Sequence, residues 1–300
     1  MTVETNKKYK SGFVTMWGRP NVGKSTLLNT LVGEKVAIVT PRPQTTRNRI
    51  SGICETEEGQ IVFLDTPGIL KPKQKLDEYL VKSARSCLRD ADVVLFVVDG
   101  ATHPHSDDKR AAKLIHNVNK DILLVINKVD IADIPNLEAR IEEYKRLGDF
   151  KGGVAVSAIT HINIPILINK ILELLPENPA YYPEGTVTDQ QEKLTIAELI
   201  REQVLLFVRQ EIPHGVAVVI KEFTPRSDEL VYVAATIYVE KPTHKLIIVG
   251  ERGRMLKEIG MKSREGIQKL LGMKVYLDLW VKISKNWRKD EAALKRFGYK

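Results

Sequence analysis

The sequence predicts a doubly wound α/β domain with a mostly parallel sheet, followed by a smaller α+β domain. Three observations carry this. Up to residue 176, short continuous apolar runs alternate with helical patterns, as strands buried on both faces of a parallel sheet require. Pro176–Pro179 and Tyr181–Gly185 then break the alternation and read as a linker. Beyond it the order changes to a helix, two strands, a glycine-containing turn, a helix, a strand and a basic end. At 300 residues with 43% hydrophobic side chains, the chain can bury two ordinary cores, which excludes wholesale disorder. The expected boundaries are 1–176, a linker over 177–188, and 189–300.

In order, Gly12–Trp17 is an apolar β-prone run, followed by a glycine-rich turn and the helical Lys24–Val32. The polar stretch Pro41–Arg47, which includes Pro43, precedes a further strand. Ile61–Asp65, Val93–Asp99, Ile122–Asn127 and Val154–Ser157 are the next strand candidates. Helical patterns over Lys75–Arg89, Asp107–Asn117, Leu137–Leu147 and Ile164–Leu175 fill the intervals. In the second half, a helix over about Asp189–Gln210 precedes strands at Val216–Phe223 and Tyr232–Glu240, joined by the polar Thr224–Asp228. A strand ending at Val249, a helix over Met255–Leu271, the strand Val275–Ile283 and a basic helix complete it. Trp280 falls in an alternating strand and is expected in the core; Trp287, beside Arg288 and Lys289, reads either way.

The chemistry concentrates in four places. Gly18-Arg19-Pro20-Asn21-Val22-Gly23-Lys24-Ser25 fits G-x-x-x-x-G-K-[ST] between a strand and a helix, the context in which backbone N–H groups cradle phosphate oxygens. Lys24 is expected to reach the β- and γ-phosphates and Ser25 to ligate Mg²⁺. Asp65-Thr66-Pro67-Gly68 fits D-x-x-G, with Asp65 at the magnesium shell and the Gly68 N–H sensing a γ-phosphate. Between them, Thr46, with Thr45 as the alternative, is expected to complete the magnesium shell. Asn127-Lys128-Val129-Asp130 ends a buried strand, so Asp130 can accept from both guanine donors; adenine offers neither, and an unpaired carboxylate would reject it. Ser157-Ala158 ends the next strand, where a backbone N–H could receive the guanine O6.

Together these motifs resemble a translation-factor-type P-loop GTPase domain, and Gln44-Thr45-Thr46-Arg47 with Asp65–Gly68 resembles the Era family of GTPases. The resemblance implies switch regions near residues 36–49 and 65–85, GTP and GDP as ligands, and a partner in small-ribosomal-subunit biogenesis. Ile69 follows Gly68 where many regulatory GTPases place a glutamine that orients the attacking water, so intrinsic hydrolysis is expected to be slow. Asn21 resembles the asparagine with which some related GTPases hold a potassium ion, although it could equally serve only to shape the turn.

Gly250-Glu251-Arg252-Gly253-Arg254, continuing to Lys257, is expected as a strand, a G-x-x-G turn and an amphipathic helix. It resembles the K-homology module in the type II arrangement of the Era family's second domain, where glycines admit the backbone of single-stranded RNA. The formal charge of +8 is uneven: residues 1–180 carry net +3, residues 181–240 net −5 and residues 241–300 net +10. A basic block at the end suits nucleic acid or an anionic membrane, or is only a solvated face. The resemblance implies the 3′ end of small-subunit ribosomal RNA and the small-subunit precursor as partners, with a peripheral membrane GTPase as the rival. The chain is expected to be a cytosolic monomer: the polar Met1–Lys10 is no signal peptide, and no apolar run reaches 18 residues. Cys54 and Cys87 are expected as buried hydrophobes, and His103-x-His105 shows no convincing metal-ligand pattern.

Overall fold

The computed structural model describes residues 8–42, 44–208, 212 and 215–299. Met1–Lys7, Pro43 and the last two residues of the first helix expected in the second half, Arg209 and Gln210, lie outside the described residues. The chain forms two compact units. The first comprises residues up to 37, 46–71 and 80–189; the second comprises 38–45, 72–79 and 190–300.

The first unit is built on a six-stranded sheet. Its elements are β1 (Lys10–Trp17), α1 (Lys24–Val32), β2 (Ile50–Thr56), β3 (Gly59–Asp65), α2 (Lys75–Asp90, from Leu80 onward), β4 (Val93–Asp99), α3 (Ser106–Ile115), β5 (Asp121–Asn127), α4 (Ile134–Lys145), β6 (Gly152–Ala155) and α5 (Ile164–Leu174). The strand order is β2-β3-β1-β4-β5-β6, parallel except for the antiparallel β2–β3 pair. β3 and β4 are buried along their whole length, which is why their sequences run apolar without alternation. Leu27, Leu28 and Leu31 of α1 join Leu167 and Ile171 of α5 in the core on one face. Ala84, Ala111, Ile115 and Tyr144 from α2, α3 and α4 pack against Phe96 and Ile126 on the other. With helices on both faces, the carboxyl ends of β1, β3, β4 and β5 open onto one crevice. Residues 177–189 run along this unit rather than apart from it. Ile53 N–H donates to Val187 O at 2.9 Å and Thr188 Oγ1 to Ser51 O at 2.7 Å, so the segment covers the β2 edge.

The second unit contains α6 (Glu192–Phe207), β7 (Ala217–Ser227), β8 (Leu230–Val239), α7 (Pro242–Val249), α8 (Arg254–Leu271), β9 (Lys274–Ile283) and α9 (Glu291–Arg296). Its sheet order is β7-β8-β9, with β7–β8 antiparallel and β8–β9 parallel. Ile196, Ile200 and Val204 of α6 and Ile259 and Ile267 of α8 pack on the alternate residues Val231 to Val239 of β8. The short segment 38–45 is held here. The Arg201 guanidinium, itself paired with Glu198, donates to Thr45 O; Glu202 Oε1 accepts Val39 N–H at 3.0 Å; and Arg42 Nη2 donates to Val208 O at 3.3 Å.

Three expectations fail in this unit. The polar Thr224–Asp228, expected as the connection between two strands, is strand as far as Ser227, paired with β8. The run ending at Val249 is a helix, α7, and not a strand. Pro242 sits in its first turn, where a missing N–H costs nothing, and the β-branched Ile247-Ile248-Val249 run suits a strand equally well by composition. Trp280 is 60% exposed, not core. In the parallel register it stands opposite Thr236, on the face of the sheet away from α6 and α8, and its Nε1–H donates to Asp278 Oδ2 at 2.9 Å. Within this unit the buried tryptophan is Trp287, whose Nε1–H donates to Gly215 O at 2.9 Å and whose ring stacks on Tyr299.

Candidate nucleotide and nucleic-acid sites

The phosphate loop leaves β1 and enters α1 without a side-chain cap, so the first N–H groups of α1 are left for a ligand. Gly23 holds φ +98°, and a Cβ there would collide with the Asn127 side-chain amide; no other residue fits this bend. Asn127 is buried and ties two loops together: its Nδ2 donates to Val22 O at 2.9 Å, and its Oδ1 accepts Ala158 N–H at 3.1 Å. Lys24 Nζ lies among the loop carbonyls, donating to Gly18 O at 3.1 Å and Arg19 O at 2.9 Å. Burial pulls its pKa down to about 8, against the opposing charge of Asp65, so the ammonium is poorly solvated and primed for an anion.

Three oxygens converge beside it. Ser25 Oγ donates to Asp65 Oδ2 at 2.7 Å, Thr46 Oγ1 to the same oxygen at 3.0 Å, and the two hydroxyls lie 2.8 Å apart. Asp65 is fully buried, burial pushes its carboxyl pKa up, and its Oδ1 has no hydrogen-bond partner among the described residues. A buried carboxylate beside two hydroxyls is a hard-cation environment, and the set fits Mg²⁺. The neighbouring Thr45 is turned elsewhere, with its hydroxyl on Arg42 O and Thr40. Thr66 donates to Met16 O at 2.6 Å, anchoring the Asp65–Gly68 turn to β1. Ile69 N–H donates to Gly18 O at 3.1 Å, and its side chain lies in the core with Trp17 and Phe96. Asp130 is exposed at the turn after β5, Ser157 is buried, and the segment Ser157-Ala158 lies next to Asn127.

Sequence reasoning missed the residues around these motifs. Asn29 Oδ1 accepts the N–H groups of Val36 and Ala37 at 3.0 and 2.8 Å, fixing where the chain leaves α1. Asp99, at the end of β4, and Asp108, in α3, both face Arg19 of the phosphate loop. The carboxylate closing the Val93–Asp99 run was the available signal. His103 pairs with Glu143, while His105 caps α3 with Asp108, which accounts for both histidines without a metal.

In the second unit, Gly250–Gly253 is the turn between α7 and α8. Gly250 has φ +72°, and a Cβ there would meet Met255 Cβ at 2.7 Å. Arg252 also adopts the left-handed region at φ +50°. Glu251, Arg252 and Arg254 are placed at this exposed end, and Lys257 lies one turn along α8. Beside it, Gly253, Leu256, Lys257, Gly260, Met261, Arg264, Leu277 and Leu279 line a groove of about 470 Å³ between α8 and β9. Its apolar floor and basic rim suit bases below and phosphates above.

Comparison with known proteins places these sites in context. Residues 13–128 match the family of 50S ribosome-binding GTPases, and residues 211–288 match the KH domain family. The chain is 49% identical over 292 residues to the GTPase Era of Alkaliphilus oremlandii, covering 97% of this chain and 99% of that one. It is likewise 49% identical over 292 residues to the GTPase Era of Halothermothrix orenii, with the same coverage. Among solved structures, Era in complex with MgGDPNP and nucleotides 1506–1542 of 16S ribosomal RNA superposes with a TM-score of 0.94 at 38% identity, covering 97% and 99% of the two chains. A variant of Aquifex aeolicus Era bound to GDP and AlF4⁻ superposes at 0.91, with the same identity and coverage.

Proposed function

The chain belongs to the Era family of GTPases, and from that premise we propose a switch that hydrolyses GTP in its first domain and binds small-subunit ribosomal RNA in its second. The observation that carries the reading is the convergence of Ser25, Thr46 and the half-satisfied Asp65 carboxylate beside the phosphate loop. Gly18–Ser25 would cradle the phosphates, with Lys24 on the β- and γ-oxygens. Ser25, Thr46 and Asp65 would hold Mg²⁺, which, when bound, neutralises charge that develops on the phosphate oxygens. Asn127–Asp130 with Ser157-Ala158 would take guanine. The Gly68 N–H would sense the γ-phosphate, and Asn21 is the candidate for a monovalent ion.

In the second domain, Gly250–Arg254 and Lys257 would meet the RNA backbone, and the groove along α8 would take bases. The relative with 16S nucleotides 1506–1542 makes the 3′ end of that RNA the first target to try, in the setting of small-subunit assembly. The domain bounds that go with this reading are 1–176 and 189–300. A cytoplasmic monomer is the form proposed; among the described residues no helix is long and apolar enough to cross a membrane.

The test is binding of a 3′-terminal small-subunit RNA oligonucleotide to protein loaded with a non-hydrolysable GTP analogue or with GDP, alongside flotation with anionic vesicles. Tighter RNA binding in the GTP-analogue form, together with phosphate release when GTP itself is supplied, supports the reading. RNA binding indifferent to nucleotide, with vesicle binding instead, would favour a peripheral membrane GTPase.

A further inference from the structure

Arg19 occupies the phosphate loop, and nothing in the phosphate-loop motif requires an arginine there. Its Nε donates to Asp108 Oδ2 at 3.0 Å and its Nη2 to Thr102 Oγ1 at 3.2 Å, with Asp99 Oδ2 3.8 Å away. Asp108 is fully buried, and the same Oδ2 accepts His105 N–H at 2.9 Å, so the carboxylate that caps α3 also holds the phosphate loop. Lys128, in the Asn127–Asp130 turn, reaches the same cluster from the other side. Its Nζ donates to Asp99 Oδ2 at 2.7 Å and to Asn21 O, in the phosphate loop, at 2.8 Å.

Asp99 itself is fixed. Its Oδ1 accepts Ala101 N–H at 3.1 Å, and the buried Tyr144 hydroxyl donates to the carbonyls of Asp99 and Thr102, each at 3.2 Å. Lys128 has φ +66°, an uncommon conformation for a long side chain, and one that persists only where the surroundings hold it. Two cations from two ligand-binding loops thus meet two nearly buried carboxylates on the rigid end of β4 and the start of α3.

The geometry points to Asp99 and Asp108 as positioning residues of the nucleotide site with separable roles. Asp99 aligns the guanine-reading turn, through Lys128, with the phosphate loop. Asp108 anchors the phosphate loop alone, through Arg19. Neither carboxylate touches the nucleotide; each acts through a cation that would otherwise be free to swing. This inference rests on reading the site as a guanine-nucleotide site.

The experiment measures GDP and IDP affinity, together with GTP turnover at saturation, for the whole protein and for Asp99→Asn, Asp108→Asn and Arg19→Gln. IDP lacks the 2-amino group that Asp130 is placed to accept, so the GDP:IDP affinity ratio reports alignment of the base turn. Loss of a charged hydrogen bond predicts that Asp99→Asn weakens GDP about tenfold and lowers the GDP:IDP ratio several-fold. Asp108→Asn and Arg19→Gln should weaken both nucleotides by a similar factor and leave the ratio unchanged. Turnover at saturation should stay within about twofold for Asp99→Asn and Asp108→Asn, a split that general unfolding would not produce. Thermal unfolding without nucleotide separates the roles from loss of fold; should Asp108→Asn fail to fold, Arg19→Gln tests the same arm. If Asp99→Asn keeps the wild-type ratio, or Asp108→Asn and Arg19→Gln change it, the assignment is overturned. Absence of guanine-nucleotide binding in the wild type would instead overturn the reading beneath it.

Discussion

Asp130 stands exposed at the end of the Asn127–Asp130 turn, where an aspartate can accept two hydrogen bonds from guanine and an asparagine cannot. Asp130→Asn should therefore lose about 2 kcal/mol or more of GTP binding and bind xanthosine triphosphate better than the wild type does. Competition between the two nucleotides measures this, and equal loss for both would count against the role. Ile69 raises a second point at this scale. Its side chain is in the core, so the position after Gly68 presents nothing to orient water. If Asn21 supports a potassium ion, hydrolysis should run faster in potassium than in sodium at equal ionic strength, and Asn21→Ala should erase the difference. Equal wild-type rates in the two salts would end that idea. The motif residues were legible because phosphate and base recognition are written in contiguous sequence. Asp99 and Asp108 were not, because they act across 80 to 90 positions of chain on Arg19, and only the fold brings them there.

Helix α7 shows where legibility fails for elements. A short apolar run rich in isoleucine and valine suits a buried strand or one face of a helix, and eight residues give too few turns to tell. Its exposed Leu246, 71% accessible, is the residue that a strand reading would have buried. The alternation around Trp280 was read correctly as a strand, but alternation does not say which face is covered. The helices lie on the Val275 and Val281 side, which leaves Tyr276 and Trp280 outward. The turn between α7 and α8 carries its own prediction. Replacing Glu251 and Arg252 together by Asp leaves the core untouched, and Asp tolerates the left-handed backbone that Arg252 adopts at φ +50°. Such exposed changes usually cost less than about 0.5 kcal/mol. The double variant should stay folded and bind GTP, yet lose RNA binding, and wild-type affinity should fall with salt at about −0.7 per neutralised phosphate on logarithmic axes. Wild-type RNA affinity in the folded double variant would refute the assignment of this turn.

Across the whole molecule, the two buried thiols give a handle on stability. Burial pushes both Cys54 and Cys87 up to about 11. A thiol kept neutral in the native state contributes stability that is present in full below its unfolded value of about 9 and is lost as pH rises through about 11. Lys24, whose pKa is pulled down to about 8, acts in the opposite sense over much of that range. Denaturation midpoints of the wild type should therefore fall more steeply between pH 9 and 11 than those of a Cys54→Ala, Cys87→Ala double variant; parallel curves would refute this. The two-unit organisation was legible in the change of element order after residue 189. That the second unit also takes in residues 38–45 and 72–79 was not, because compositional breaks mark only where a chain leaves one body once.

That inclusion has a consequence in time. Thr45 O waits for Arg201, made 156 residues later. At the ordinary pace of synthesis, roughly 5–20 residues per second, the gap is on the order of 10–30 seconds. Late in that interval, once β6 has been made, the nascent chain has its phosphate loop, its base-reading turn and all six strands of the first sheet, but no α6 to hold the segment just before Thr46. A ribosome making this protein thus carries residues 38–45 unclasped until α6 is made, about two thirds of the way along the chain.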